Sequence, residues 1–273
     1  MMENKKRTGR LAASPHIVWT VMFIVAPLLF VIYYTFTDYY GAFTFDNILA
    51  LKEHIGTFTL SVSLSVIATF ICFIIGYPLA YIISRQKQSS QKIMITLLML
   101  PMWTNLLIRT YSMMAIMDDG GFLNTILGYL NLGKVHLIGT KGAVIFGMVY
   151  DFLPYMVLPI YTTISKLDKS LTEAAEDLGC NYFRVLTKVI LPLSSSGIVS
   201  GVTMVFVPSI STFYISQKLG GGTFELIGDT IERQFQNSTT YNVGATISLV
   251  MMVLVLISLA IMNKFAGEES EES

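Results

Sequence analysis

"EAAEDLGCNYFRVLTKVILP", Glu173 to Pro192, carries five charges of both signs within sixteen residues, Glu173 to Lys188. Strongly apolar sequence flanks it on both sides. The whole chain of 273 residues is 53% hydrophobic and 13% charged, with a mean hydropathy of +0.62. A soluble domain carries about 25% charged residues, and a membrane-spanning helix needs roughly 20 apolar ones in a row. The composition therefore points to an all-α integral membrane protein. The quoted stretch is a polar, helix-prone insert between two of its spans.

Six spans are expected, at about 17–36, 58–83, 93–117, 143–164, 191–216 and 243–263. The third carries Asn105 and Arg109, the fourth Asp151, and the fifth several serines with Pro192 and Pro208. The first apolar run reads as a span rather than a signal peptide. It is long, and Pro27 in its middle is followed by no small-residue cleavage site. Residues 1–16 are then an N-terminal segment, 17–264 the membrane domain with a polar loop at about 165–192, and 265–273 an acidic tail ending "EESEES", expected to be solvated and without regular structure.

Lysine and arginine orient these spans. Lys5, Lys6, Arg7, Arg10, Arg85, Lys87, Lys92, Lys166, Lys169, Arg184, Lys188 and Lys264 fall on one side. Lys52, Lys134, Lys141, Lys218 and Arg233 fall on the other. The positive-inside bias puts the first set, the polar insert and both termini in the cytoplasm, which an even span number also requires.

Within the insert, Ser170-Leu-Thr-Glu173 has the form of a capping box, in which the serine hydroxyl accepts from the Glu173 N–H. Leu167, Leu171, Ala174, Ala175 and Leu178 recur at helical spacing. Gly179 stands where a left-handed residue would end that helix. A second amphipathic piece follows, with Phe183, Leu186, Val189 and Ile190 on one face. A two-turn helix is marginal alone and needs a surface to pack on. That surface is either the membrane face or a cytoplasmic partner, and the small Ala174-Ala175 pair favours close approach to a partner.

The insert resembles the EAA loop of the inner-membrane permeases of ABC importers. The matching positions are Glu173, Ala174, Ala175, Gly179, Val189, Leu191 and Pro192, with Val189 in place of the usual isoleucine. The resemblance implies the type I importer permease fold in a bacterial inner membrane, with a coupling helix seated in a groove of an ATP-hydrolysing subunit. It also implies three kinds of partner: a second permease subunit, two ATP-binding subunits and an extracytoplasmic solute-binding protein. "PMWTNLLIRTY" (Pro101–Tyr111), "LDKSLTEAAEDLG" and "GGTFELIGDTIERQF" are similar to spermidine/putrescine permeases, which implies a polyamine substrate. The wider family also carries sulfate, molybdate, iron and sugars.

Arg109 and Asp151 are the charges inside spans. Such a charge costs on the order of 3 kcal/mol on insertion scales and needs a partner or a wet cavity. At about 1.5 Å per residue, both lie roughly 12 Å below the outer surface on consecutive spans. They either pair, or Asp151, flanked by Tyr150, faces the pathway and meets a substrate ammonium. Trp103 and Asn105 either line that pathway or pack against a neighbouring helix. Gly197 and Gly201 form a G-x-x-x-G that permits close helix packing.

Other functions fit less well. The sequence has no His/Cys cluster at metal-ligand spacing and no phosphate-binding G-x-x-x-x-G-K-[ST] loop. An integral-membrane enzyme would need a denser set of acid–base residues in its spans than Arg109 and Asp151. A channel would need a repeated filter motif. Cys72 and Cys180 are too far apart in the topology to pair. No cofactor and no nucleic acid is implied.

Overall fold

A computed structural model describes residues 15–271. Lys5, Lys6, Arg7 and Arg10 of the basic N-terminal cluster lie outside the described residues, as do Glu272 and Ser273. The described residues are mostly helical, with irregular segments at 36–45 and 130–140. Among the described residues the only β pairing is an isolated bridge between Thr37 and Phe43.

Among the described residues twelve helices are distinguished in chain order. They are α1 (Pro15–Thr35), α2 (Asp46–Ser84), α3 (Gln88–Trp103), α4 (Leu106–Met117), α5 (Phe122–Tyr129) and α6 (Lys141–Ile164). There follow α7 (Lys169–Asp177), α8 (Phe183–Leu193), α9 (Ser195–Ser211), α10 (Tyr214–Leu219), α11 (Ile227–Gln236) and α12 (Tyr241–Glu271). Among the described residues four helices are long and apolar enough to cross a membrane, and up to six spans result if each of two bent pairs counts as one.

Those bent pairs correct two expected spans. The third is broken at Thr104–Asn105 by 92°. Asn105 accepts a hydrogen bond from the Leu107 N–H at 2.8 Å and so starts α4 as an N-cap inside an apolar run. The fifth is bent by 78° at Ser194, two residues after Pro192. Ser194 is buried, and its hydroxyl reaches Tyr77 Oη at 3.1 Å and the Leu191 carbonyl at 3.2 Å. The tail also differs from expectation. The last helix continues through Glu268, Glu269 and Glu271 instead of ending before them.

The chain divides into two compact units. In the first, residues up to Ile55 join Thr230–Leu254. Its organising contacts are two asparagines that satisfy the carbonyls left open at the end of α1. Asn47 Nδ2 donates to Thr35 and Thr37 at 3.2 and 2.8 Å, and Asn242 Nδ2 faces the carbonyls of Tyr34, Thr37 and Asp38. Tyr241 stacks edge-on against Tyr34 at 5.0 Å. Among the described residues none in the apolar window of α1 is buried. A helix apolar all round belongs in lipid or against another apolar chain.

The second unit, Gly56–Asp229 with Val255–Ser273, holds the main core. Around one centre, Tyr77, Ala80 and Ile83 of α2 meet Met156, Ile160 and Ile164 of α6 and Val185, Leu186 and Ile190 of α8. Around another, Leu64 and Ala68 of α2 pack with Met113 and Met117 of α4, Val144 and Met148 of α6, and Ile215 and Leu219 of α10. Lipid tails are as apolar as leucine, so association here depends on close fit. Gly197 and Gly201 supply it where α9 crosses α6. A β-carbon on Gly197 would stand 2.5 Å from Thr163 Oγ1 and 3.0 Å from the Pro159 carbonyl; one on Gly201 would stand 3.0 Å from the Met156 carbonyl.

Gly197→Leu should therefore force α9 off α6. Overpacking of this kind costs about 1–3 kcal/mol. The expected outcome is a lower melting temperature of the purified protein, with a smaller loss for Gly197→Ala; an unchanged melting temperature for the leucine variant would show that the two helices do not need this contact.

Candidate functional site

The polar insert folds into α7 and the first part of α8. Its start differs from the expected capping box. The N-cap is Asp168, whose Oδ1 accepts from the Ser170 N–H at 3.0 Å. An aspartate two residues ahead of the serine takes the role because its carboxylate also favours the positive end of the helix dipole. That backbone N–H holds the Asp168 carboxyl below its usual range. A depressed carboxylate pKa adds support above the unfolded value and loses it as the pH falls through the folded one, so acid weakens this cap.

The end of α7 is as expected. Gly179 has φ +79°, the Gly179 N–H donates to the Glu176 carbonyl at 2.9 Å, and the Cys180 N–H reaches back to the Ala175 carbonyl at 3.0 Å. This pair of bonds is the Schellman arrangement. No atom lies within 4 Å of where a Gly179 β-carbon would be, so the glycine is required by backbone conformation and not by space.

The apolar stripe of the insert divides between two faces. Ala175 and Thr172 are buried, and Leu167 packs against the core. Arg85, directly after α2, donates to the Thr172 hydroxyl and lies 5.1 Å over the Tyr81 ring. Together these hold α7 against the end of α2. Sequence reasoning counted Arg85 only as a topogenic charge; its position one residue past a span was the available signal. Leu171, Leu178 and Phe183 point away, with 43%, 85% and 69% of their surface exposed, and Glu173 and Ala174 are exposed among them. Phe183 does not share the buried face of Leu186 and Ile190, and Val185 is buried with them instead. The helix thus presents an acidic residue and small and large apolar groups on an open face.

Inside the spans, Arg109 of α4 and Asp151 of α6 come together, with Nη1 3.1 Å from Oδ1. Their side chains are 14% and 1% exposed. The contact is an ion pair by distance but lacks hydrogen-bond alignment, and Asp151 Oδ2 has no polar partner among the described residues. Arg109 and Tyr150 line a cavity of about 780 Å³ with Pro101, Thr104, Met113 and Phe146. Trp103 and Asn105 stand exposed at the break of the third span and do not line it. Asn105 uses its amide oxygen as the cap of α4. Among the described residues no group of three His, Cys, Asp or Glu side chains could hold a metal ion, and both cysteines are free.

The architecture is that of a multi-span helical membrane domain with a capped two-turn helix displayed between its fourth and fifth spans. Residues 11–266 match the model of the family described as binding-protein-dependent transport system inner membrane component, and the chain belongs to that family. Among its relatives is the spermidine/putrescine transport system permease protein PotB of Haemophilus influenzae, 36% identical over 248 residues that cover 87% of this chain and 86% of the relative. PotB of Salmonella typhimurium is 34% identical over 270 residues, covering 95% and 94%. A solved bacterial alginate ABC transporter in complex with its alginate pentasaccharide-bound periplasmic protein superposes with a TM-score of 0.77 at 17% identity, over 97% of this chain and 96% of that one, which establishes the fold of an ABC-importer permease.

Two outcomes follow. Removing one partner of a buried ion pair costs about 3–5 kcal/mol because the other is left uncompensated. Arg109→Leu and Asp151→Leu should each lower the melting temperature sharply, and the double variant should recover part of the loss; strictly additive losses in a double-mutant cycle would defeat that coupling. Gly179→Val places a β-branched residue at positive φ, at a cost of about 1–2 kcal/mol. Limited proteolysis should cut the 165–192 loop of that variant faster than the parent's, and equal cutting rates would remove the conformational role of the glycine.

Proposed function

We propose that this chain is one of two permease subunits of an ATP-driven polyamine importer. The observation that carries the reading is 34–36% identity to spermidine/putrescine permeases across nearly the full length of both chains. A second permease would complete the translocation pathway. Two ATP-hydrolysing subunits would supply the energy, and an extracytoplasmic solute-binding protein would deliver the substrate. The chain would perform no catalysis itself.

Both termini and the α7–α8 loop face the cytoplasm in this reading, supported by twelve lysines and arginines on that side against five on the other. Glu173, Ala174, Ala175 and Gly179 serve ATPase coupling. The open face of α7, with Leu171 and Leu178 beside Ala174, seats in the motor, while Ala175, Thr172 and Arg85 tie the same helix to the spans. When ATP draws the motor subunits together, α7 moves and α8 carries that movement to the elbow at Ser194. The cavity between the two permeases then changes the side to which it opens. Trp103, Asn105, Arg109, Tyr150 and Asp151 are candidates for the pathway or its support, with Arg109 and Asp151 bracing α4 against α6. In this reading the outer side holds Asp38, Asp46, Glu53, Asp118, Asp119, Asp151, Glu225, Asp229 and Glu232 against five bases, an excess that either concentrates cations at the mouth or reflects the ordinary depletion of lysine and arginine on that side.

The test is uptake by the reconstituted complex. Labelled spermidine or putrescine should accumulate only with ATP, the binding protein and all subunits present. Glu173→Lys should leave the subunit in the membrane while uptake and substrate-stimulated ATP hydrolysis fall about tenfold, since a reversed charge at a docking face repels its former partner. Unchanged hydrolysis would refute the coupling role, and energised uptake by this chain alone would refute the division of labour.

A further inference from the structure

Lys218 and two tyrosines form a cluster that the coupling loop and the Arg109–Asp151 pair leave unused. Tyr111 lies on α4 and Tyr214 opens α10, so the two rings come from helices 103 positions apart in the chain. Their centroids are 6.2 Å apart at an interplanar angle of 79°. Lys218, one turn beyond Tyr214 on α10, places its Nζ 5.3 Å from the Tyr111 centroid and 5.8 Å from that of Tyr214. Both distances fall within the roughly 6 Å over which a ring face attracts a cation. Tyr111 keeps 48% of its surface exposed, so the pair of rings opens away from the chain's own core.

The group that fills this corner is informative. A lysine side chain is a primary ammonium on four methylenes. A linear diamine of the putrescine kind is the same stem with an ammonium at each end. Two ring faces that accept the first have the shape and charge preference for either end of the second. Lysine is also an awkward permanent occupant. Its stem is flexible, and the ammonium makes its contact through a quadrupole that any other primary ammonium would satisfy equally.

We infer that Tyr111 and Tyr214 form an alkylammonium site, with Lys218 as its tethered occupant, displaced when a substrate ammonium enters. The inference rests on the polyamine reading for the identity of the incoming cation, while the site's preference for an ammonium follows from the two rings. Lys218 would then act as a competitor built into the chain. It keeps the site filled when no substrate is present and raises the concentration a diamine needs to take its place.

The experiment uses the full chain assembled with its partner subunits in nanodiscs, without the binding protein. Calorimetric binding of putrescine is compared with that of 1,4-butanediol, which has the same stem and no charge. Lys218→Met keeps the apolar stem and removes the competitor, so the Kd for putrescine should fall about threefold or more. Tyr111→Phe and Tyr214→Phe keep the ring faces and should preserve that gain in the Lys218→Met background, whereas Tyr111→Leu and Tyr214→Leu should abolish it. The diol should bind none of the variants measurably. An unchanged Kd in Lys218→Met, a gain that survives both leucine variants, or equal binding of the diol would overturn the site. Uptake is read separately on the same preparations. Putrescine binding that follows this pattern without any polyamine uptake would refute the importer reading and leave the ammonium site standing; uptake with no effect of Lys218→Met on binding would do the reverse.

Discussion

A polypeptide in hydrocarbon has no water to satisfy its backbone, so every interruption of a helix must supply its own hydrogen bonds. This chain meets that constraint with one or two polar side chains at each of three interruptions. Asn105 caps α4 where the third span breaks, and Ser194, bonded to Tyr77, sits at the elbow of the fifth. Asn47 and Asn242 gather the carbonyls at the end of α1. Because these groups fix where the helices turn, they also fix what the turns bring together. Arg109 stands on the helix that Asn105 starts, and the inserted loop α7–α8 joins the helix that follows Ser194.

The second organising feature is fit without a hydrophobic drive. Gly197 and Gly201 let α9 lie on α6 at a separation no side chain would allow. Tyr77, Ile160 and Ile190 then close the same end of the bundle from three helices. The loop end is tied in by smaller means. The Gln91 amide donates to the Ser84 and Gln86 carbonyls, and the Tyr161 hydroxyl donates to the Gln91 oxygen, so the turn between α2 and α3 is joined to α6. Arg85 does the same for α7.

Local chemistry was legible in the sequence, and tertiary choice was not. Gly179 ends its helix as the glycine and the preceding stripe indicate, because a Schellman ending involves only six consecutive residues. The position of the N-cap was read two residues late. Asp168 and Ser170 are both good caps, and only the packing of Thr172 and Ala175 decides between them. The spans read as straight although Thr104–Asn105 and Ser194–Ser196 interrupt their apolar runs, because hydropathy does not register the direction of a helix axis. For a related reason α12 carries on into the acidic tail, since Glu268, Glu269 and Glu271 are good helix formers. The placing of Lys218 against Tyr111 depends on a contact across more than a hundred residues, for which no spacing rule exists.

The elbow at Ser194 has a mechanical consequence. α8 is buried along Val185, Leu186 and Ile190, and α9 is seated on α6 through its glycines, so neither arm can bend freely. Two stiff arms meeting at 78° about a pinned corner make a bell crank. A push along the loop arm emerges at the far end of the other arm turned through most of a right angle.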